Sequence, residues 1–189
     1  MATATVTVNL EGYDKLIAKL KKLADAHGSV KAGVLEGADN GEGKNVLEYA
    51  PIQEFGGSIT VTDKMRGFLA ANYGIHLKKS TATIDIPPRS LTIDIPPRSF
   101  LRTTFAEMKD EWVKLLASSL KSGMSIEDAL ENVGADMEQE IVQRIANGIP
   151  PENSDATNLI KQQEKPGMVG HTLQYTGSLV KAIKHRVEA

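Results

Sequence analysis

Between Leu101 and Ile145 the chain carries two consecutive amphipathic periods, long enough to dominate any fold it joins. Leu101, Phe105, Met108, Trp112, Leu115, Leu116 and Leu120 recur mostly at spacings of three and four. That periodicity predicts a helix over 101–121, closed by Ser122-Gly123. Ser125 with Asp128 three residues on resembles a capping box. Behind it Ile126, Leu130, Val133, Met137, Ile141 and Ile145 mark a second long helix. Two apolar stripes joined by so short a link bury themselves against each other, so an antiparallel helix pair is expected.

The flanking segments alternate instead. Val6, Val8 and Leu10 read as an edge strand, and 13–26 as a helix ended by Gly28. Ser29 to Glu36 reads as a strand stopped by the turn-rich GADNGEGK. A short helix is expected over 45–55, starting or kinking at Pro51 and ended by Gly56-Gly57. Near the C-terminus, 176–187 reads as a helical turn around Leu179 and Val180 followed by a strand through Ile183, His185 and Val187. The expected fold is a single α+β domain spanning 1–189, a small antiparallel sheet packed against two or three helices. Alternation at Ile59/Val61, Ile75/Leu77 and Ile84/Ile86 predicts a long extended arm or hairpin over 58–86 with 64–74 as its unassigned tip, and the protruding arm as a whole is taken as 58–99. The stretch 147–170 carries Asn-Gly, Pro-Pro, Asn-Ser-Asp and Pro-Gly, and reads as a mobile loop.

Within that arm lies a tandem repeat: 83–91 is TIDIPPRSL and 92–100 is TIDIPPRSF. Nine residues is far below the unit of a solenoid, so this is a local duplication. Each copy is expected to be β at TIDI and polyproline-like at PPR. The extra copy adds up to ~30 Å of reach at ~3.3 Å per residue, unless it is a slippage duplication bulging from a loop.

Several chemistries are absent. Without cysteine there is no disulfide, thiolate nucleophile or Cys-based metal site. His27, His76, His171 and His185 are scattered, and Asp136, Glu138 and Glu140 spread around a helix, so no metal or other cofactor is expected. No G-x-S-x-G elbow accompanies the serines. Gly43-Lys44 sits where a phosphate loop belongs, but Ala38 and Asn45 stand where such a loop needs Gly and Ser or Thr, which leaves a nucleotide-binding enzyme a distant alternative. No apolar run approaches the ~18 residues of a membrane span, so no membrane partner is expected. The net charge of −2 argues against a nucleic-acid clamp, although a basic-arm binder is a further alternative.

Four stretches, taken together, resemble the tail-completion or minor tail-component family of long-tailed bacteriophages, proteins of the neck where head meets tail. They are Ala32-Gly33-Val34, Ile52-Gln53-Glu54-Phe55-Gly56, Ile95-Pro96-Pro97-Arg98-Ser99-Phe100-Leu101-Arg102, and Thr176-Gly177-Ser178-Leu179 followed by Ile183, Arg186 and Val187. Ser99 stands where a proline is common in that pattern, and Ala182 where a serine is common. The resemblance implies a virion protein without catalysis, made in the bacterial host cytoplasm. It implies a homo-oligomeric ring, commonly a hexamer, contacting head-completion or connector proteins and tail-tube or tail-terminator proteins, with DNA passing through the lumen unbound. A tail terminator capping the tube is the nearest alternative within that family.

Charge is distributed in a way that suits a ring. Residues 58–106 carry seven basic against three acidic side chains, and 107–148 four basic against nine acidic. A closing ring needs two different, complementary surfaces, and opposed fields set their register. Arg89, Arg98 or Arg102 meeting Glu107, Asp110 or Glu111 of a neighbour is one expectation, and pairing of the same charges within one subunit is the other. Glu54, Phe55 and Gly56 are expected to shape the turn feeding the arm, with Pro96 and Pro97 in its extended return. For Phe55 and Phe100 core packing is the first expectation and direct contact with a partner the alternative.

Overall fold

The computed structural model describes residues 28–35, 46–76 and 92–188. The expected strand at 6–10, the helix at 13–26, Gly43-Lys44, the first repeat copy and Arg89 lie outside these residues. In chain order the elements are β1 (Ser29–Val34), α1 (Val46–Phe55), β2 (Gly57–Thr60), α2 (Asp63–Tyr73), β3 (Thr92–Ile95), α3 (Arg102–Lys121), α4 (Ile126–Asn147), α5 (Asp155–Glu164), a 3₁₀ turn at Pro166–Met168, α6 (Ser178–Ala182) and β4 (Ile183–Glu188). The architecture is α+β, with two antiparallel ribbons, β1–β4 and β2–β3, among the described residues.

The long helices pair as their stripes require. Glu107 bonds Arg144, Trp112 Nε1 donates to Asp136 at 3.1 Å, and Asn132 donates to Ser119 at 3.1 Å. Partners advance along one helix as they retreat along the other, so the pair is antiparallel. Ser125 opens α4 as expected, its Oγ accepting from the Asp128 amide at 3.0 Å.

The β1–β4 ribbon lies on α4, with Val34 opposite Ile183 and Ala32 opposite His185. It sits close because Gly134 has no side chain. A Cβ there would stand 2.4 Å from His185 Cδ2 and 2.9 Å from Val30 Cγ2. The core joins Val46 and Ala50 of α1, Phe100, Ile141 and Ile145 of α4, and Leu179, Ala182 and Ile183.

Two expectations are corrected. The 58–99 arm is not extended throughout: its base is the β2–β3 ribbon, but Asp63–Tyr73 is a helix. Thr62 caps it at one end, accepting from the Met65 amide at 3.2 Å, and Gly74 at φ 66° ends it at the other. The 147–170 stretch is likewise not a bare loop. Its turn signals bracket α5, which Ser154 caps by accepting from the Thr157 amide at 3.3 Å. The Ile149 amide donates to Thr172 Oγ1 at 2.7 Å, and the Gly170 amide to Asn158 at 3.1 Å, fastening both flanks.

Candidate interaction site

Glu54 is the centre of a junction between α1 and the segment 98–102. This residue ends α1 and is 2% exposed. Its Oε2 accepts from the Leu101 amide at 2.9 Å. Its Oε1 accepts from the Arg102 amide at 3.1 Å and from Arg102 Nε at 3.0 Å. Helix α3 begins at an apolar N-cap, Leu101, that has no side-chain acceptor of its own. A carboxylate from another element supplies it, satisfying backbone donors at the positive end of the helix.

The surrounding bonds tie α1 to the second repeat copy. The Arg98 amide donates to the Gln53 carbonyl at 2.7 Å, and Ser99 Oγ donates to the Glu54 carbonyl at 3.1 Å. Arg102 Nη2 donates to that carbonyl at 2.9 Å and to Ser99 Oγ at 2.6 Å. Ser99, the departure from the family pattern, is therefore a working part of the junction. Gly56 is needed here twice over. Its φ of 76° suits glycine, and an added Cβ would lie 2.9 Å from the Ile95 carbonyl oxygen and from Pro97. Phe100 is fully buried, as expected. Phe55 is corrected: it is 62% exposed, with the Arg102 guanidinium 4.5 Å from its ring centroid.

Beside this junction opens a cleft of about 720 Å³. One wall is β3 with Pro96. The other comes from the segments around α5 and before α6, including Leu173, Tyr175 and the Thr176-Gly177-Ser178-Leu179 motif. Two cations line it, Arg98 at 8% exposure and Lys161 at 5%. Arg98 Nε donates to the Pro151 carbonyl and Nη2 to the Glu152 carbonyl, both at 2.9 Å. Lys161 Nζ donates to the carbonyls of His171 and, at 2.7 Å, Gln174. Among the described residues neither cation forms a salt bridge, although Asp94 and Glu152 also line the cleft. Burial lowers both pKa values, and for Lys161 the charge of Arg98 lowers it further.

The remaining charges singled out from sequence are found inside one subunit. Arg102 pairs with Glu54, Glu107 with Arg144, and Glu111 with Lys114 at 2.7 Å; Asp110 is exposed on α3. Arg102, Glu107 and Glu111 thus have carboxylate or cation partners within the chain, whereas Arg98 bonds only backbone carbonyls among the described residues.

A second polar cluster joins the ribbon to α4. His185 Nδ1 lies 2.8 Å from Glu138 Oε2 and Nε2 lies 3.1 Å from Glu131 Oε1. Burial works against its charged form, but hydrogen bonds and attraction from both glutamates outweigh it and raise the pKa. No group of three or more His, Asp or Glu among the described residues is arranged to hold a metal ion. Also among them, no helix is long and apolar enough to cross a membrane.

Sequence reasoning missed Glu54 as a helix cap and Lys161 as a cleft residue. No clear signal marked the first, because Ser99, Thr103 and Thr104 stand close to the apolar N-cap Leu101. For Lys161 there was none, since a lysine within a polar stretch reads as solvated. Comparison with protein-family models, with curated proteins and with solved structures finds no match.

Proposed function

We propose that this chain is a structural virion protein of the bacteriophage neck, forming an oligomeric ring that completes the tail and joins it to the head. The observation that carries this reading is the convergence of all four resemblance-bearing stretches on one unit. Ala32 and Val34 pair through the β1–β4 register with His185 and Ile183. Ile183 packs with Phe100 and Leu179 in one core, and Glu54 holds the start of α3. Residues far apart in the chain that jointly build one unit are read more readily as a shared pattern than as chance fragments.

The reading is non-enzymatic, and its working parts are adhesive surfaces: exposed strand edges on β2–β3 and a cleft with two cations. Negative-stain imaging of the purified protein, alone and mixed with tails, tests it. Rings that bind the head-proximal end of tails are the expected result, and a protein that stays monomeric in the presence of tails overturns it. Reversing Arg98 to Glu is a poor probe of ring closure, because Arg98 fastens its own subunit through Pro151 and Glu152.

A further inference from the structure

We propose that the cleft beside β3 seats an extended peptide strand bearing a carboxylate, and that this strand is the TIDI segment at 83–86 of a second copy of the chain. The proposal rests on the assembly reading above and names one contact within it.

Charge is the first argument. Arg98 and Lys161 are both more than nine-tenths buried, and among the described residues they bond only neutral carbonyls. Arg98 Nη1 has no hydrogen bond among the described residues, and Lys161 uses two of its three donors. Two buried like charges without a salt-bridging carboxylate among the described residues are a standing cost that a carboxylate relieves.

Shape is the second. β3 forms one wall of the cleft, and its edge opposite β2 carries no strand among the described residues. An added strand would gain main-chain hydrogen bonds there, the mode of β-augmentation. Side chains alternate along a strand, so a central acid facing the cations sends its two neighbours to the opposite face.

The occupant follows from those requirements: a strand-forming segment with one acid between aliphatic residues. The chain contains that pattern twice, as TIDI. One copy is β3 itself, where Asp94 is engaged by Ser58 Oγ at 2.6 Å. The other offers Asp85 between Ile84 and Ile86. Pro87-Pro88 favours an extended course and opposes a reversal within the five residues that separate Ile86 from Thr92, which favours a neighbour's copy over the chain's own. The duplication then has a use: one copy builds the cradle and the other is presented to the next subunit.

The test uses a variant lacking residues 83–91, which retains one complete copy and hence the cradle. It is titrated at low salt with a fluorescent peptide of residues 81–90, read by anisotropy. Saturable binding is expected, with the D85N peptide at least about tenfold weaker, the loss of one modest charged contact. Because that change is in the peptide, folding of the protein is not at issue. Equal binding of the two peptides, no saturable binding, or full displacement by inorganic phosphate of a peptide insensitive to D85N each overturns the proposal. Sedimentation supplies the second arm: removing 83–91 is expected to shift the full chain's assemblies to smaller species. Rings that form equally well without those residues overturn this contact and leave the assembly reading standing. A full chain that never associates overturns the assembly reading, and with it the neighbour as source of the strand.

Discussion

Glu54 and Lys161 are buried to nearly the same degree, yet they sit in opposite electrical situations. Glu54 has two backbone amides and a guanidinium gathered on its carboxylate, so charge and hydrogen-bonding capacity are both met inside the subunit. Lys161, with Arg98 for a neighbour, has carbonyl acceptors and no salt-bridging carboxylate among the described residues. The first centre is closed and holds the fold together. The second keeps spare donors and lacks a salt-bridging carboxylate among the described residues, which is how a site that awaits a partner differs from one that has its partner already.

Replacing Glu54 is the harshest test of that contrast. Glu54→Ala leaves two amides at the start of α3 without their acceptor and is expected to cost about 3 kcal/mol, seen as a lower urea midpoint with unchanged slope. Glu54→Gln keeps an acceptor and should lose clearly less. If the two variants match the parent, the junction is not the keystone described here. A second large effect is expected where the β1–β4 ribbon lies on α4. Gly134→Ala gains up to ~1 kcal/mol of helix propensity but drives a methyl into His185 and Val30. Overpacking of ~1–3 kcal/mol should leave a net loss of about 1 kcal/mol, with hydrogen exchange faster in β4 than in α3.

The two centres also differ in how far the sequence disclosed them. The α3–α4 pair, the β1 and β4 strands and the turn at Gly56 follow from short-range patterns: apolar periods, a Ser125 cap, a glycine where the chain turns. Helix α2 lies between two alternating stretches that suggest an arm or hairpin and leave 64–74 as a tip of unassigned structure. Helix α5 was hidden among the turn signals that bracket it. Glu54 and Arg98 were singled out, but as a turn former and a surface charge. Their real partners, the amides of Leu101 and Arg102 and the carbonyls of Pro151 and Glu152, lie about 50 residues away and leave no local trace. Lys161 had no trace at all, because burial of a lysine depends on carbonyls that only the folded 171–174 segment presents.

At Lys161 the expected effect is smaller and its sign is informative. Lys161→Met removes a buried charge while keeping the stem, and replacing buried ionic groups by apolar ones of similar size is often close to neutral. The loss is expected to stay within about 1 kcal/mol, the scale of the forfeited carbonyl bonds, well short of Glu54→Ala at similar burial. A loss as large as that of Glu54→Ala would mean that the cation is a structural tie, with no charge left over for a ligand.

The mildest effect belongs to the His185 cluster, and pH is its probe. The folded-state pKa of His185 is raised above its ordinary value near 6.5, since the bonds to Glu138 and Glu131 prevail over burial. Protonation is therefore favoured by folding. The stability it contributes is fully present below about pH 6.5 and is lost as pH rises through the raised value. Glu138 is shifted the other way: burial alone would raise it, but His185 and Lys184 bring it below 4.5, so its share is lost as pH falls through that lowered value. The ribbon should be held most firmly between those limits, with the thermal midpoint declining from pH 6.5 to pH 8.5. His185→Gln should flatten that decline. Glu131→Gln should only soften it, because the exposed partner of such a pair contributes ~0.2–1 kcal/mol. The start of α3, held by Glu54 and Arg102, is the internal reference across the same range. A pH-dependent loss of protection at the start of α3 as large as that in β4 would show that the two regions are coupled and do not respond separately.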